Sequence, residues 1–262
     1  MLYLTIFAKN LKQQTLYRSE FLLSTVGALV SLYVQIAIWQ ALLAQGAAGS
    51  PLGLQAMTAY VIMAYLMRRA SEVHFSEVFA QKVNRGDIAI DLIRPVSLKK
   101  MLMSEQLSHN VSMIVFACLP VTVIAHMIWG IDVGTSPQML SLFALSAALA
   151  IALLFYLEYI FGLFVFWVRN ENYARQILRG LTTIFSGAFV PLWFYPQWLR
   201  RIGEFLPFSL MAFEPLQIFL ATVSAQEGVV IVLRQLGWLL GLWLVERLVW
   251  HRIKANVFVQ GG

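Results

Sequence analysis

The chain is short of charge. Only 12% of its 262 residues are Asp, Glu, Lys or Arg, about half the share of an ordinary soluble domain. That scarcity argues against a soluble globular protein. A single cysteine, Cys118, excludes an internal disulfide, and its place in an apolar run makes it a core-packing residue. The four histidines, His74, His109, His126 and His251, lack metal-ligand spacing. No Gly-x-x-x-x-Gly-Lys-Ser/Thr loop is present to cradle a phosphate, and no catalytic constellation stands out. The chain therefore reads as a non-enzyme without a cofactor or metal of its own. Any energy source would come from a partner or from an ion gradient, or be absent. Short alternating strands are missing too, which argues against a β-barrel. No small-residue cleavage site follows the first long apolar run, so no signal peptide is expected.

What the chain does have is hydrophobic residues, 60% of the total. They fall into runs of roughly the 20 residues that cross a bilayer's hydrocarbon core. The class is an all-α polytopic membrane protein forming a single transmembrane domain over 1–262. Spans are expected at about 21–43, 54–67, 106–128, 138–168, 177–194 and 229–250. Small residues Ser24, Gly27, Ala28 and Ser31 in the first span, and Gly237 and Gly241 in the last, suit close helix approach. Residues 3–20 place Leu4, Phe7 and Leu11 at helical spacing, apart from most of the basic residues, as an interfacial helix does. Residues 195–228 are apolar but divided by Pro196, Pro207 and Pro215. The pieces are too short to cross and read as half-helices that dip into the outer leaflet or cap it.

Orientation follows from the basic residues. With the N-terminus in the cytoplasm, all of the 19 Lys and Arg except Arg200, Arg201 and Arg234 fall on cytoplasmic segments. Six spans then put both termini inside. The net charge of +6 reflects topology, so it does not argue for nucleic acid.

The most polar stretch is cytoplasmic. In 72–84, Phe75, Val78, Phe79 and Val83 repeat at helical spacing. Arg85-Gly86-Asp87-Ile88-Ala89-Ile90-Asp91-Leu92-Ile93-Arg94-Pro95 follows. Gly86 permits a tight turn, Pro95 keeps Arg94 out of helical geometry, and Ser97 is placed to cap a helix starting Leu98-Lys99-Lys100. Within the fourth apolar run, Glu158 stands out, because a charge at mid-membrane costs roughly 3 kcal/mol. It is either a substrate-path or ion-coupling carboxylate, or a protonated or paired acid that locks helices together. Glu246-Arg247 near the inner end of the last span is explained by snorkelling or local pairing.

Gly86-Asp87-Ile88-Ala89-Ile90-Asp91-Leu92-Ile93-Arg94-Pro95 resembles the cytoplasmic signature of a bacterial subfamily of type-2 ABC transporter permeases. Phe166-Trp167, Ser186-Gly187-Ala188-Phe189-Val190-Pro191 and Leu206-Pro207-Phe208 resemble that family's fifth-span and outer-loop motifs. The ending Val259-Gln260-Gly261-Gly262 also fits. The resemblance runs through essentially the whole chain in the expected order. It implies an exporter permease in the bacterial inner membrane that works by alternating access. A second permease, homologous or identical, would share the lipid-embedded translocation path. Two cytoplasmic ATPase subunits would bind the ATP and Mg. Residues 72–97 would include the coupling element, 195–228 the outer gate or cap, and 3–20 the N-terminal elbow.

Arg85, Asp87, Asp91 and Arg94 would then supply polar contacts to the ATPase. Ile90 and Leu92 would pack there, on a turn shaped by Gly86 and Pro95. The other reading is that the loop folds on itself, for example through Asp91 with Arg94. Gly187, Pro191 and Pro207 would belong to the path or its gate, as would Glu158 on its own merits. The competing classes are an ATP-independent secondary transporter or lipid scramblase acting as a homo-oligomer, with Glu158 as a proton site, and a non-transporting membrane scaffold.

Overall fold

The computed structural model describes residues 2–14, 18–44, 52–73, 97–130, 136–164 and 171–257. Among these residues the regular elements are helices and there is no strand. In chain order they are α1 (Leu2–Gln14), α2 (Arg18–Ala44), α3 (Leu54–Ala70), α4 (Leu98–Trp129), α5 (Pro137–Leu163), α6 (Glu171–Phe185), α7 (Gln197–Phe205), α8 (Phe213–Phe219) and α9 (Ala225–Val257). Short 3-10 turns at Leu192–Phe194 and Ser209–Met211 link the later helices.

Among the described residues, four helical segments are long and apolar enough to cross a membrane: Leu23–Ala44, Leu98–Trp129, Pro137–Leu163 and Ala225–Arg252. The other two expected spans correspond to α3, with 17 residues, and α6, with 15. Both fall short of the roughly 20 residues that a crossing helix uses. α3 is nevertheless central. Six consecutive residues, Met57 through Ile62, are buried, and a helix covered on every side belongs in a core. α2 and α4 flank it, and α8 touches it.

Local chemistry explains where the helices start and stop. α4 begins at the expected position: Ser97 is its N-cap and accepts from the Lys100 backbone N–H. Ser136 caps α5 in the same way, with Pro137 in the first turn, where no N–H is needed. α9 starts four residues before the expected 229. Ser224 Oγ accepts from Glu227 N–H at 3.3 Å, while the Glu227 carboxylate accepts from Ser224 N–H at 2.7 Å. This reciprocal capping box satisfies donors that would otherwise be stranded.

α4 is continuous from 98 to 129 but opens into a π-turn over Ile114–Cys118. Pro120 accounts for it. Its ring lacks an N–H and crowds the preceding turn, and a wider turn just before it relieves the clash.

The helix expected over 177–194 ends at Phe185. The chain reverses at Gly187, whose φ is +77°, and Pro191 then opens the 3-10 turn Leu192–Phe194.

α5 and α9 form the most extensive helix pair among the described residues. Inside their contact, Gln235 Nε2 donates to the carbonyls of Ser146 and Leu210 at 3.0 and 2.9 Å, and Ser146 Oγ donates to Gln235 Oε1 at 3.0 Å. All the partners are buried, so the polar atoms cost little to enclose. Nearer the other end of α9, Lys99 Nζ of α4 pairs with Glu246 Oε2 at 2.9 Å and lies 4.5 Å from the centre of the Tyr156 ring on α5. Glu246 thus joins three helices, where the sequence suggested snorkelling or local pairing.

Among the described residues, one non-glycine backbone position is strained. Ala221, exposed just after α8, has φ of +51°, a left-handed conformation that costs a side chain roughly 1–2 kcal/mol. Ala221→Gly should relieve it. The expected result is a rise in the melting temperature of the purified chain of about 2–4 °C per kcal/mol recovered, read by differential scanning fluorimetry.

Candidate functional site

The last turn of α3 carries Arg68 and Arg69, where the helix leaves its apolar surroundings. Arg69 is fixed on both sides. It donates to Glu72 Oε2 at 2.7 Å and to Ser24 Oγ of α2 at 2.6 Å. The Glu72 carbonyl in turn accepts from Gln106 Nε2 of α4 at 2.7 Å. Arg68 turns to aromatic faces: its guanidinium lies 4.3 Å from the Phe189 ring centre and 5.4 Å from that of Tyr65. Cation–π contacts of this kind orient the group without using up its hydrogen-bond donors.

These side chains form one wall of a cavity of about 470 Å³. α5 contributes Leu154 and Glu158, and α6 contributes Arg179, Thr182 and Thr183. Glu158 is buried, at 6% exposure. The cavity therefore gathers Arg68, Arg69 and Arg179 around Glu72 and Glu158, an excess of one positive charge. Thr182 Oγ1 is buried there with no hydrogen-bond partner among the described residues.

The turn after α6 closes the far side. The Gly187 carbonyl accepts from Tyr60 Oη of α3 at 2.7 Å, and Ser186 O accepts from Phe213 N–H of α8 at 2.9 Å. A Cβ at Gly187 would meet Phe213 Cβ at 2.7 Å, so glycine is required by both conformation and contact. Trp193 packs on Tyr60 and on Phe213, with ring centres 5.3 and 5.0 Å apart. Pro191 and Pro207 are both buried. The first precedes the 3-10 turn, and the second follows α7.

α7 and α8 are tied to α9 through Arg234. Its Nη1 donates to Glu214 Oε2 of α8 and its Nη2 to the Glu204 carbonyl of α7, both at 2.6 Å. Ser209 Oγ donates to the other Glu214 oxygen at 2.8 Å.

The family model described as ABC-2 family transporter protein matches residues 19–255. The chain belongs to that family. No curated protein matches the sequence. Membership makes this a membrane permease of the ABC transporter class, and the family as a whole associates with ABC ATPase subunits.

Within this ABC-2 permease, the expected path residues Glu158 and Gly187 lie on or beside one cavity, while Pro191 and Pro207 shape the segments beyond it. The expected ATPase-coupling residues Arg85, Gly86, Asp87, Ile90, Asp91, Leu92, Arg94 and Pro95 lie outside the described residues, as do Phe166, Trp167 and the final four residues. Sequence reasoning did not connect Glu158 with Arg68 and Arg179, which come from three separate segments. It also missed the Arg234–Glu214 pair. The signal was present: an arginine and a glutamate, each inside apolar sequence, call for partners.

Proposed function

We propose that this chain is the membrane subunit of an ATP-driven exporter in the bacterial inner membrane. The observation that carries the reading is the family match over residues 19–255. In this proposal the chain crosses six times, α3 and α6 completing the four long helices, with both termini cytoplasmic. The support is the alternation of basic residues: Arg68 and Arg69 end α3, and Arg175 and Arg179 lie in α6. A second permease, homologous or identical, completes the translocation path. Two ATPase subunits dock from the cytoplasm and supply the ATP and Mg chemistry that this chain lacks. The docking element is the segment 72–97, with Arg85, Asp87, Asp91 and Arg94 as its polar contacts and Ile90 and Leu92 as its apolar ones. Coupling requires that this contact differ in free energy between the inward-open and outward-open states.

Purification from native membranes in mild detergent tests the assembly. An ATPase should accompany the permease, with or without a second homologous chain. A stable homo-oligomer that transports without an ATPase would favour a gradient-driven carrier or scramblase instead. For the docking element, Asp87→Ala and Arg94→Ala should each reduce permease-stimulated ATP hydrolysis about tenfold if each removes a charge-assisted contact of ~1.5 kcal/mol. Full stimulation by a normally assembled variant would refute the assigned contacts.

A further inference from the structure

The arginine-lined cavity has a neighbour of opposite character. A groove of about 500 Å³ runs along α2, lined by Ile38, Trp39 and Leu42 together with Phe189, Val190 and Phe194, with Gln35 its one polar residue. Phe189 belongs to the walls of both the cavity and the groove. The Arg68 guanidinium stacks on that same ring. A positively charged, hydroxyl-bearing chamber and an apolar trough thus meet at a single side chain. The two halves match a molecule with an anionic end and a hydrocarbon end.

We propose that the cavity and the groove together hold one anionic amphiphile, its head group against Arg68 and Arg179 and its hydrocarbon tail past Phe189 in the groove on α2. Arginine forks and hydroxyls together suit the oxygens of a phosphate ester. The buried Thr182 Oγ1, without a partner among the described residues, supplies a further hydrogen bond at the head-group end. Glu158 and Glu72 limit the excess positive charge, so a head group of low negative charge fits better than a highly charged one. A free anion would use only the first half of the arrangement. A lipid without a phosphate would bring no negative charge to Arg68 and Arg179. The inference rests on the permease reading, because it names the class of molecule that such a subunit takes up from the bilayer.

The test is thermal unfolding of the purified full-length permease in mild detergent. The additions are phosphatidylglycerol, diacylglycerol with the same acyl chains and no phosphate, or inorganic phosphate. Phosphatidylglycerol should stabilise the protein saturably, and the other two should have little effect. Arg68→Gln with Arg179→Gln should weaken the apparent affinity for phosphatidylglycerol by about ten- to a hundredfold. Ile38→Trp keeps both arginines, fills the groove and sits on an exposed face. It should also weaken phosphatidylglycerol binding, and it carries the test if the arginine variant fails to fold.

Equal stabilisation by both lipids would overturn the proposal. So would a phosphatidylglycerol response unchanged in either variant. Inorganic phosphate reproducing the whole effect would reassign the cavity to a free anion and likewise overturn it. No ATPase enters the measurement, so its failure leaves the co-purification result standing, and the reverse also holds.

Discussion

Gly187→Ala should destabilise the permease by about 2–5 kcal/mol, with a matching fall in melting temperature. Two costs add. A left-handed backbone with a Cβ loses roughly 1–2 kcal/mol, and forcing a methyl group into filled space loses typically 1–3 kcal/mol more. The space is filled here by Phe213, whose Cβ would lie 2.7 Å from the new atom. Phe213 is held in turn by its N–H bond to Ser186 O and by Trp193, so it cannot yield cheaply. Any shift of the turn would also disturb the Tyr60–Gly187 hydrogen bond. Gly241→Ala serves as the control. A Cβ there meets nothing within 4 Å, and alanine favours a helix over glycine by about 1 kcal/mol. Equal melting temperatures for wild type and Gly187→Ala would show that the turn after α6 has room that this geometry denies it.

Arg234→Ala should cost about 2–3 kcal/mol. Losing one partner of a buried ion pair typically costs 3–5 kcal/mol because the other charge is stranded. The value is discounted here because the Arg234 side chain is 39% exposed, while that of Glu214 is 6% exposed. The variant also frees the Glu204 carbonyl, so α7 and α8 both lose their tie to α9. The double variant Glu214→Gln with Arg234→Met should recover most of the loss, since no buried charge remains and Ser209 can still bond the amide. Thermal unfolding of the wild type and the two variants reads the comparison directly. A double variant as unstable as Arg234→Ala would mean that shape, and not the stranded carboxylate, sets the cost. Limited proteolysis between Tyr195 and Ser224 should accelerate in Arg234→Ala and return towards wild type in the double variant.

Much of this molecule was legible in its residues because the relevant forces are local. Apolar runs of bilayer length require backbone hydrogen bonds to close within the segment, and that alone makes the chain helical. Ser97 caps α4 because its oxygen reaches an N–H three residues on. Pro196 and Pro207 divide that stretch because each removes a donor and constrains the residue before it, whereas Pro215 sits in the first turn of α8, where no donor is needed, and breaks nothing. The capping box at Ser224 and Glu227 was equally readable from its spacing, and it moves the start of α9 to Ala225.

Other features belong to distances in space. Whether Gly187 marks a turn or a packing face depends on Phe213, 26 residues on, so no local pattern shows that α6 must stop at Phe185. Nor does periodicity show that α3 lies at the centre, since an apolar segment looks the same whether it faces lipid or other helices. Above all, the charges find their partners across the fold. Lys99 meets Glu246, Glu214 meets Arg234, and Glu158 shares a cavity with Arg68 and Arg179. Composition and spacing determined the class of the protein, because hydrophobic burial and backbone hydrogen bonding act residue by residue along the chain. Helix packing alone decided the chamber, because a pocket is the space left where several separate segments fail to touch.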